Sequence, residues 1–313
     1  MRGTLLYIGQ RLILVAITTV LVSSIVFLLL HQIPGNAFLN ETRTSPEALR
    51  AHLHYYGLDL PLHQQYINWA SAVLHGNLGE SLINRGVLIT PLLVRETTVS
   101  ATVGFFALIV TIGLGLTLGV MAALRQNTWV DYVASSAAVV GYSIPNFVIA
   151  IFMLLIFGHF LYDWTQGTVY YNVGWGDWTQ IPVPAIALGL PYASYVARLT
   201  RASMLETIRT DYVRTAWAKG LKARIVVIRH ALRNALIPVV TILGPLITGI
   251  ITGSVVIENI FGIPGLGKEF VTSILARDYN IVIGVFTFYA ALVGLANLTV
   301  DVIYPLLDPR IRY

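Results

Sequence analysis

Six long stretches without Asp, Glu, Lys or Arg constrain this chain more than any other feature of its sequence. They lie at 12–30, 97–124, 132–162, 178–197, 234–257 and 279–300. A helix needs about 20 apolar residues to cross the hydrocarbon core of a bilayer. Only 11% of the 313 residues are charged, whereas a soluble domain carries about a quarter. The sequence therefore predicts an all-α integral membrane protein with six transmembrane helices.

Prolines and glycines inside these runs predict how the helices bend and pack. Pro145 interrupts the third run, and because proline removes a backbone donor, we expect a bend there. Gly115 and Gly119 form one pair at four-residue spacing, and Gly249 and Gly253 form another. Such pairs let helix backbones approach closely. The sequence leaves open whether they pack within this subunit or against a second one.

The distribution of Lys and Arg predicts the orientation in the membrane. With the amino terminus inside, fourteen of these cations lie on the cytoplasmic side and six outside, and nine of them are in the loop 198–233. Cytoplasmic loops are enriched in Lys and Arg. We therefore expect both termini and the 198–233 loop in the cytoplasm, with 31–96 and 258–278 as extracytoplasmic segments.

The basic loop itself contains a short predicted helix. Thr210 or Asp211 can cap its start by accepting backbone N–H bonds, and Gly220 can end it in the left-handed conformation. A second helix is expected to carry Lys222, Arg229 and Arg233 on one face. From the residues alone, two interpretations remain open: the short helix docks on a soluble partner, or the loop lies with its basic face on anionic lipid.

The same loop carries a resemblance to a known family. It reads DYVRTAWAKGL at 211–221 and RHALRNALIP at 229–238, which resembles the "EAA" loop of ABC importer permeases, and in particular the B-type permease of oligopeptide and dipeptide importers. Ala216 and Gly220 match the motif. Its glutamate is replaced, with Arg214 or Thr215 in that region.

Further motifs extend the resemblance over nearly the whole chain. Each is weak alone, but their order is specific to this subgroup. They are YGLD at 56–59, Pro61-Leu62, Gln65-Tyr66, Trp69, GNLGES at 76–81, ENIFGIPGLG at 258–267, DVIY at 301–304 and DPRI at 308–311.

The resemblance implies a single permease domain, 1–313, with the type I ABC importer fold, in a bacterial-type inner membrane. It implies that the 211–220 helix couples to a cytoplasmic ATPase, and we expect Tyr212, Ala216, Trp217 and Gly220 to make this contact. A second homologous permease, one or two ATPase subunits, an extracytoplasmic binding protein and a peptide substrate are the implied partners. For the substrate path we expect polar residues of the spans, namely Ser143, Asn146 and Thr248.

No catalytic, cofactor or metal site is predicted. The absence of cysteine excludes disulfides and thiolate sites, and the concentration of cations in one loop does not favour nucleic acid. The stretch GIPGLGK at 262–268 matches a phosphate loop, but Glu269 stands where a Ser or Thr hydroxyl is required; a tight turn is expected instead.

Two alternatives remain open for the substrate and the energy source. Metal or chelate importers exist in the same family, and His52, His54, His63 and His75 lie in the outer segment. A secondary carrier is the second alternative, although such carriers often need a carboxylate buried in the membrane, and the six runs contain none.

Overall fold

The computed structural model describes residues 2–33, 46–168 and 171–307, and most of them are helical. The DPRI motif at 308–311 lies outside these residues. The helices are α1 (Arg2–Gln32), α2 (Pro46–Tyr55), α3 (Leu62–Leu74), α4 (Ile89–Leu124), α5 (Trp129–Ser143), α6 (Asn146–Leu154), α7 (Leu161–Trp164), α8 (Pro182–Ile208), α9 (Asp211–Ala218), α10 (Ala223–Ile225), α11 (Arg233–Ala235), α12 (Ile237–Ile251), α13 (Val255–Phe261), α14 (Leu266–Ala276) and α15 (Tyr279–Leu307).

Within the described residues, four helical segments are long and apolar enough to cross a membrane. A fifth candidate is a helix pair bent by 51°. These segments are Leu6–Gln32, Ile89–Leu124, Asn146–Trp164 and Tyr279–Val302, and the bent pair is Ala223–Ala235 with Ile237–Ile251. They overlap five of the six predicted runs.

The remaining run, 178–197, lies on α8. This helix is less apolar than the others because it carries prolines and tyrosines, and it continues through Arg198 and Arg201 to Ile208. The six-span count therefore stays a prediction. The first part of the expected cytoplasmic segment, 198–208, is helical and continues α8.

The third run is broken at the position that its proline predicts. α5 ends at Ser143 and α6 begins at Asn146, and Pro145 between them has an extended backbone with φ −59° and ψ 141°. A π-helical segment, Leu155–Phe160, then joins α6 to α7. The proline thus separates two helices instead of bending one.

The chain forms two compact units, residues 1–99 with 264–298, and residues 100–263 with 299–313. In the first unit, an apolar core brings together the start of α4, α14 and α15. Its buried residues are Leu78, Ile89, Leu93, Leu266, Ile281 and Val285.

The motifs of the outer segment make structural contacts in this first unit. The buried carboxylate of Asp278 accepts hydrogen bonds from the Ser81 hydroxyl at 2.5 Å and from the backbone N–H of Leu82 at 3.2 Å. The Gln65 amide donates to the carbonyls of Leu58 and Leu60 at 3.1 and 2.8 Å. These bonds explain why polar residues recur in the outer motifs.

In the second unit, α4 and α8 pack at very close range. A Cβ added at Gly115 would lie 2.7 Å from Val196, and one at Gly119 would lie 2.5 Å from the Ala197 carbonyl oxygen. This glycine pair therefore packs within the subunit.

The second glycine pair does not form one continuous helix face in this chain. α12 ends at Ile251, Gly253 follows it with φ +90°, and nothing lies within 4 Å of a Cβ at Gly249. The four-residue spacing misled here because the helix ends between the two positions. The close approach on α12 is instead at Ile250, whose carbonyl oxygen would lie 2.6 Å from a Cβ at Gly104.

The glycine-rich stretch at 262–268 joins two helices as a tight turn, as expected. Gly262 ends α13 with φ +68°, and the Ile263 N–H donates to the Glu258 carbonyl at 2.9 Å. Gly265 then precedes the first residue of α14. A helix stands before this turn, whereas a phosphate loop follows a strand.

Candidate functional site

The expected coupling helix is present as α9, between α8 and α10. Thr210 occupies the position before its first residue, with an extended backbone. The predicted side-chain cap is absent, because the Thr210 hydroxyl donates back to the Thr207 carbonyl at 2.6 Å. Asp211 in the first turn is favourably placed beside the positive end of the helix dipole.

Gly220 ends the helix as predicted. Its φ is +72°, a conformation that other residues adopt at a cost, and its N–H donates to the Trp217 carbonyl at 2.9 Å. No atom lies within 4 Å of a Cβ placed there. The space at Gly220 is open on the protein side, so only the backbone conformation requires glycine within this chain.

The four expected coupling residues have different environments. Ala216 is buried, whereas Tyr212 and Trp217 are 43% and 46% exposed. The Tyr212 hydroxyl accepts a hydrogen bond at 2.7 Å from the Asn234 amide, which lies on α11. The aromatic rings are therefore available on the surface, and one of them is connected to the segment that leads into α12.

Sequence reasoning missed the residues that fix α9 to the rest of the chain. Val213 and Ala216 are buried in a small cluster with Val226, and Leu221 packs against it. The three-residue spacing of Val213 and Ala216 could have indicated this buried face. A groove of about 320 Å³ adjoins this cluster and is lined by Val213 and Val226 together with Trp217.

The helix after α9 is irregular. Lys222 precedes α10, and residues Val226–Leu232 are π-helical. π-helical turns often occur at functional sites. The predicted basic face of Lys222, Arg229 and Arg233 assumed regular α-helical spacing, which this segment does not keep.

An ion pair between the buried Asp131 and the partly exposed Arg201 fixes α8 to α5 near the start of the coupling segment. Arg201 donates to both carboxylate oxygens of Asp131, with Nε–Oδ1 at 2.6 Å and an outer nitrogen to Oδ2 at 2.7 Å. Ser135 and the Asn127 N–H also donate to Asp131, at 3.1 and 3.0 Å. No local pattern predicts this pair, since its members are seventy positions apart.

The residues expected along the substrate path are only partly brought together. Ser143 and Asn146 flank the break at Pro145, and the Ser143 side chain is exposed, with its hydroxyl bonded to the Val139 carbonyl at 2.8 Å. Thr248 lies on α12, is buried, and donates to the Gly244 carbonyl at 3.2 Å.

The outer histidines His54 and His75 have different hydrogen-bond partners. His54 is bonded to Asp59 at 2.8 Å, and this hydrogen bond lowers the pKa of the Asp59 carboxyl. His75 is bonded to the Ser71 carbonyl at 2.8 Å. Over residues 2–33, 46–168 and 171–307, no group of three or more His, Cys, Asp or Glu side chains is arranged to hold a metal ion.

Comparison with known proteins identifies the family. Residues 115–313 match the family described as binding-protein-dependent transport system inner membrane component, and residues 4–93 match its N-terminal counterpart. The dipeptide transport system permease protein DppB of Bacillus subtilis is 41% identical over 307 residues, covering 98% of this chain and 97% of the relative. The oligopeptide transport system permease protein OppB of Escherichia coli K12 is 38% identical over 298 residues, covering 95% of each.

Solved structures show the same fold at lower identity. A chain of the methionine ABC transporter MetNI, in an inward-facing conformation, has a TM-score of 0.56 at 19% identity, covering 69% of this chain and 96% of that chain. An amino acid ABC transporter solved with histidines gives 0.52 at 20% identity, covering 71% and 95%. With its family match and near full-length relatives, this chain belongs to the inner membrane components of binding-protein-dependent transport systems.

Proposed function

We propose that this chain is the pore-forming permease subunit of an ATP-driven importer that carries dipeptides or oligopeptides into the cytoplasm. The observation that carries the proposal is the 41% identity with a dipeptide permease along nearly the whole length of both chains. The permease is not an enzyme, because ATP hydrolysis in this family is performed by separate ATPase subunits.

The proposed assembly contains four kinds of component. A second homologous permease completes the pore, one or two ATPase subunits bind in the cytoplasm, and an extracytoplasmic binding protein delivers the peptide. The helices of this chain expose many large apolar residues, which lipid and the second permease would cover.

We further propose that α9 is the contact with the ATPase. The buried Val213 and Ala216 support this role, because they hold the short helix on the chain and leave the rings of Tyr212 and Trp217 exposed. The hydrogen bond from Asn234 to Tyr212 connects α9 directly to α11. A movement of α9 can therefore be transmitted to α11 and on to α12.

The variant Gly220→Trp tests this contact. It forces a bulky side chain onto a left-handed position at the open end of α9, so we expect normal membrane insertion, loss of the co-purifying ATPase and at least tenfold slower uptake of a labelled dipeptide. The measurement is affinity purification of the tagged chain, followed by uptake in proteoliposomes containing the binding protein.

A matched control is Gly76→Trp. Gly76 follows α3, has φ +75° and has no atom within 4 Å of its Cβ position, so the backbone strain is similar but the site lies in the expected outer segment. The Gly76→Trp variant should still co-purify with the ATPase. Full uptake and ATPase binding in Gly220→Trp would reject the docking role of α9, and a wild-type complex that transports no peptide would reject the substrate class.

A further inference from the structure

Arg198, the first residue of the expected cytoplasmic segment, lies on α8. Its guanidinium carbon lies 4.8 Å from the centre of the Tyr142 ring on α5. The Tyr142 ring in turn stacks on Tyr195, with centroids 5.9 Å apart and an angle of 29° between the planes.

This cluster of Arg198, Tyr142 and Tyr195 joins two of the apolar runs near their ends. Tyr142 belongs to the third run and lies four residues before the candidate span Asn146–Trp164. Tyr195 is close to the end of the fourth run, and Arg198 is the first residue after it. The cluster therefore lies at the end of a span, where a long cationic side chain can reach water.

The positive charge of Arg198 is not neutralised within the described part of the chain. Arg198 is exposed, and the contact recorded for its guanidinium is the ring of Tyr142. Arg201, one helical turn further along α8, is by contrast fully engaged by the Asp131 carboxylate. An uncompensated cation so close to two apolar runs is costly in lipid, and such residues face water or a partner group.

We propose that Arg198, Tyr142 and Tyr195 form a subsite of the translocation path that binds the C-terminal carboxylate of the peptide, an inference that rests on the proposed peptide import. A guanidinium stacked on a ring keeps its edge N–H groups free, and these bind a carboxylate through two parallel hydrogen bonds. Every unmodified peptide carries this carboxylate, whatever its side chains. The exposed Ser143 beside Tyr142 adds a polar group next to the cluster.

The test compares two peptides of one sequence, one with a free C-terminal carboxylate and one with a C-terminal amide. Initial uptake rates are measured in proteoliposomes with the co-purified complex and its binding protein, for the wild type and for Arg198→Gln. The binding protein is the same for the wild type and the variant, so its own preference cancels. A change in the ratio of the two uptake rates, free peptide to amide, therefore reports on the permease. We expect a drop of roughly tenfold for the free peptide and less than twofold for the amide.

Two further variants sharpen the comparison. Arg198→Lys keeps the charge but loses the planar guanidinium. Its ratio of uptake rates should therefore stay closer to the wild-type value than that of Arg198→Gln. Arg209→Gln removes another exposed cation, at the end of α8, and should leave the ratio at its wild-type value.

Three outcomes would overturn the inference. An unchanged ratio in Arg198→Gln would exclude carboxylate recognition at this site, and so would equal losses for both peptides. Loss of the second permease from the purified Arg198→Gln complex would place Arg198 in the subunit interface and would also overturn the inference. All three outcomes concern the variant and leave the proposed function standing, whereas a wild-type complex that takes up neither peptide contradicts the proposed function itself.

Discussion

At the scale of single residues, two arginines of α8 have different roles because their surroundings differ. Arg201 is joined by two hydrogen bonds to Asp131, whose side chain is 2% exposed. Arg198 lies one turn away and touches a tyrosine ring. The paired arginine stabilises the contact between α5 and α8, whereas Arg198, which has no carboxylate partner among the described residues, is the one that we propose for the ligand.

Asp131→Asn should destabilise the subunit. Removing the Asp131 charge leaves the partly exposed Arg201 guanidinium without its partner, at a cost of about 1–3 kcal/mol. We expect a clearly lower melting temperature of the detergent-purified complex, partly restored by the exchange Asp131→Arg with Arg201→Asp.

The control for this prediction is Asp211→Asn. Asp211 and Arg214 are 3.6 Å apart, with side chains 97% and 70% exposed, and exposed pairs contribute little. Its melting temperature should match the wild type. Equal melting temperatures for Asp131→Asn and Asp211→Asn would show that the pair of Asp131 with Arg201 contributes no stability.

At the scale of helices, small side chains determine where α4 and α8 meet. The buried face of α8 includes Ala193, Val196 and Ala197, and the opposing positions on α4 are Gly115 and Gly119. Without side chains at these glycines, the backbones approach closely and gain van der Waals contact, which drives helix association in a membrane.

Gly119→Val should disrupt this contact. A Cβ there would lie 2.5 Å from the Ala197 carbonyl oxygen and 2.6 Å from the Thr200 Cβ, and neither atom is the end of a flexible side chain. Overpacking of this kind costs about 1–3 kcal/mol. We expect less monodisperse protein in size-exclusion chromatography and a lower melting temperature.

Gly113→Val on the same helix is the matched comparison, since nothing lies within 4 Å of a Cβ at Gly113. It should behave as the wild type. If both substitutions have the same effect, valine in this helix is harmful in itself and the α4–α8 contact does not explain the loss.

At the scale of the whole molecule, the open question is how many times the chain crosses the membrane. The helix α8 decides it, because it holds the fourth predicted run but is less apolar than the other candidates. Its buried residues face the other helices of its unit, so polar and small residues on that side need not contact lipid.

The chain contains no cysteine, so single introduced cysteines can locate both ends of α8. We expect Asp177→Cys to react with a membrane-impermeant maleimide in intact cells, because 163–177 is an outer segment in the six-span topology. Lys219→Cys should react only after the membrane is permeabilised. Labelling of both positions from the same side would exclude α8 as a span and with it the count of six.

Much of the coupling segment followed from sequence. The run DYVRTAWAKGL predicted a short helix ended by Gly220, and α9 with its left-handed glycine confirms both. The cap at Thr210 was predicted wrongly because a hydroxyl can bond backward or forward, and local sequence does not decide between them. Val213 was missed because its partner Val226 lies beyond the helix in the chain.

Local sequence was enough to predict that lipid surrounds this chain and where its helices end, because hydrophobic length, proline and glycine act through a few neighbouring residues. The apolar runs, the break at Pro145 and the end of α9 belong to this class. The tertiary structure alone decided which charges are neutralised, since Asp131 meets Arg201 only after α5 packs on α8. It also decided that Gly119, but not Gly249, meets another helix, because close packing depends on which backbone stands opposite.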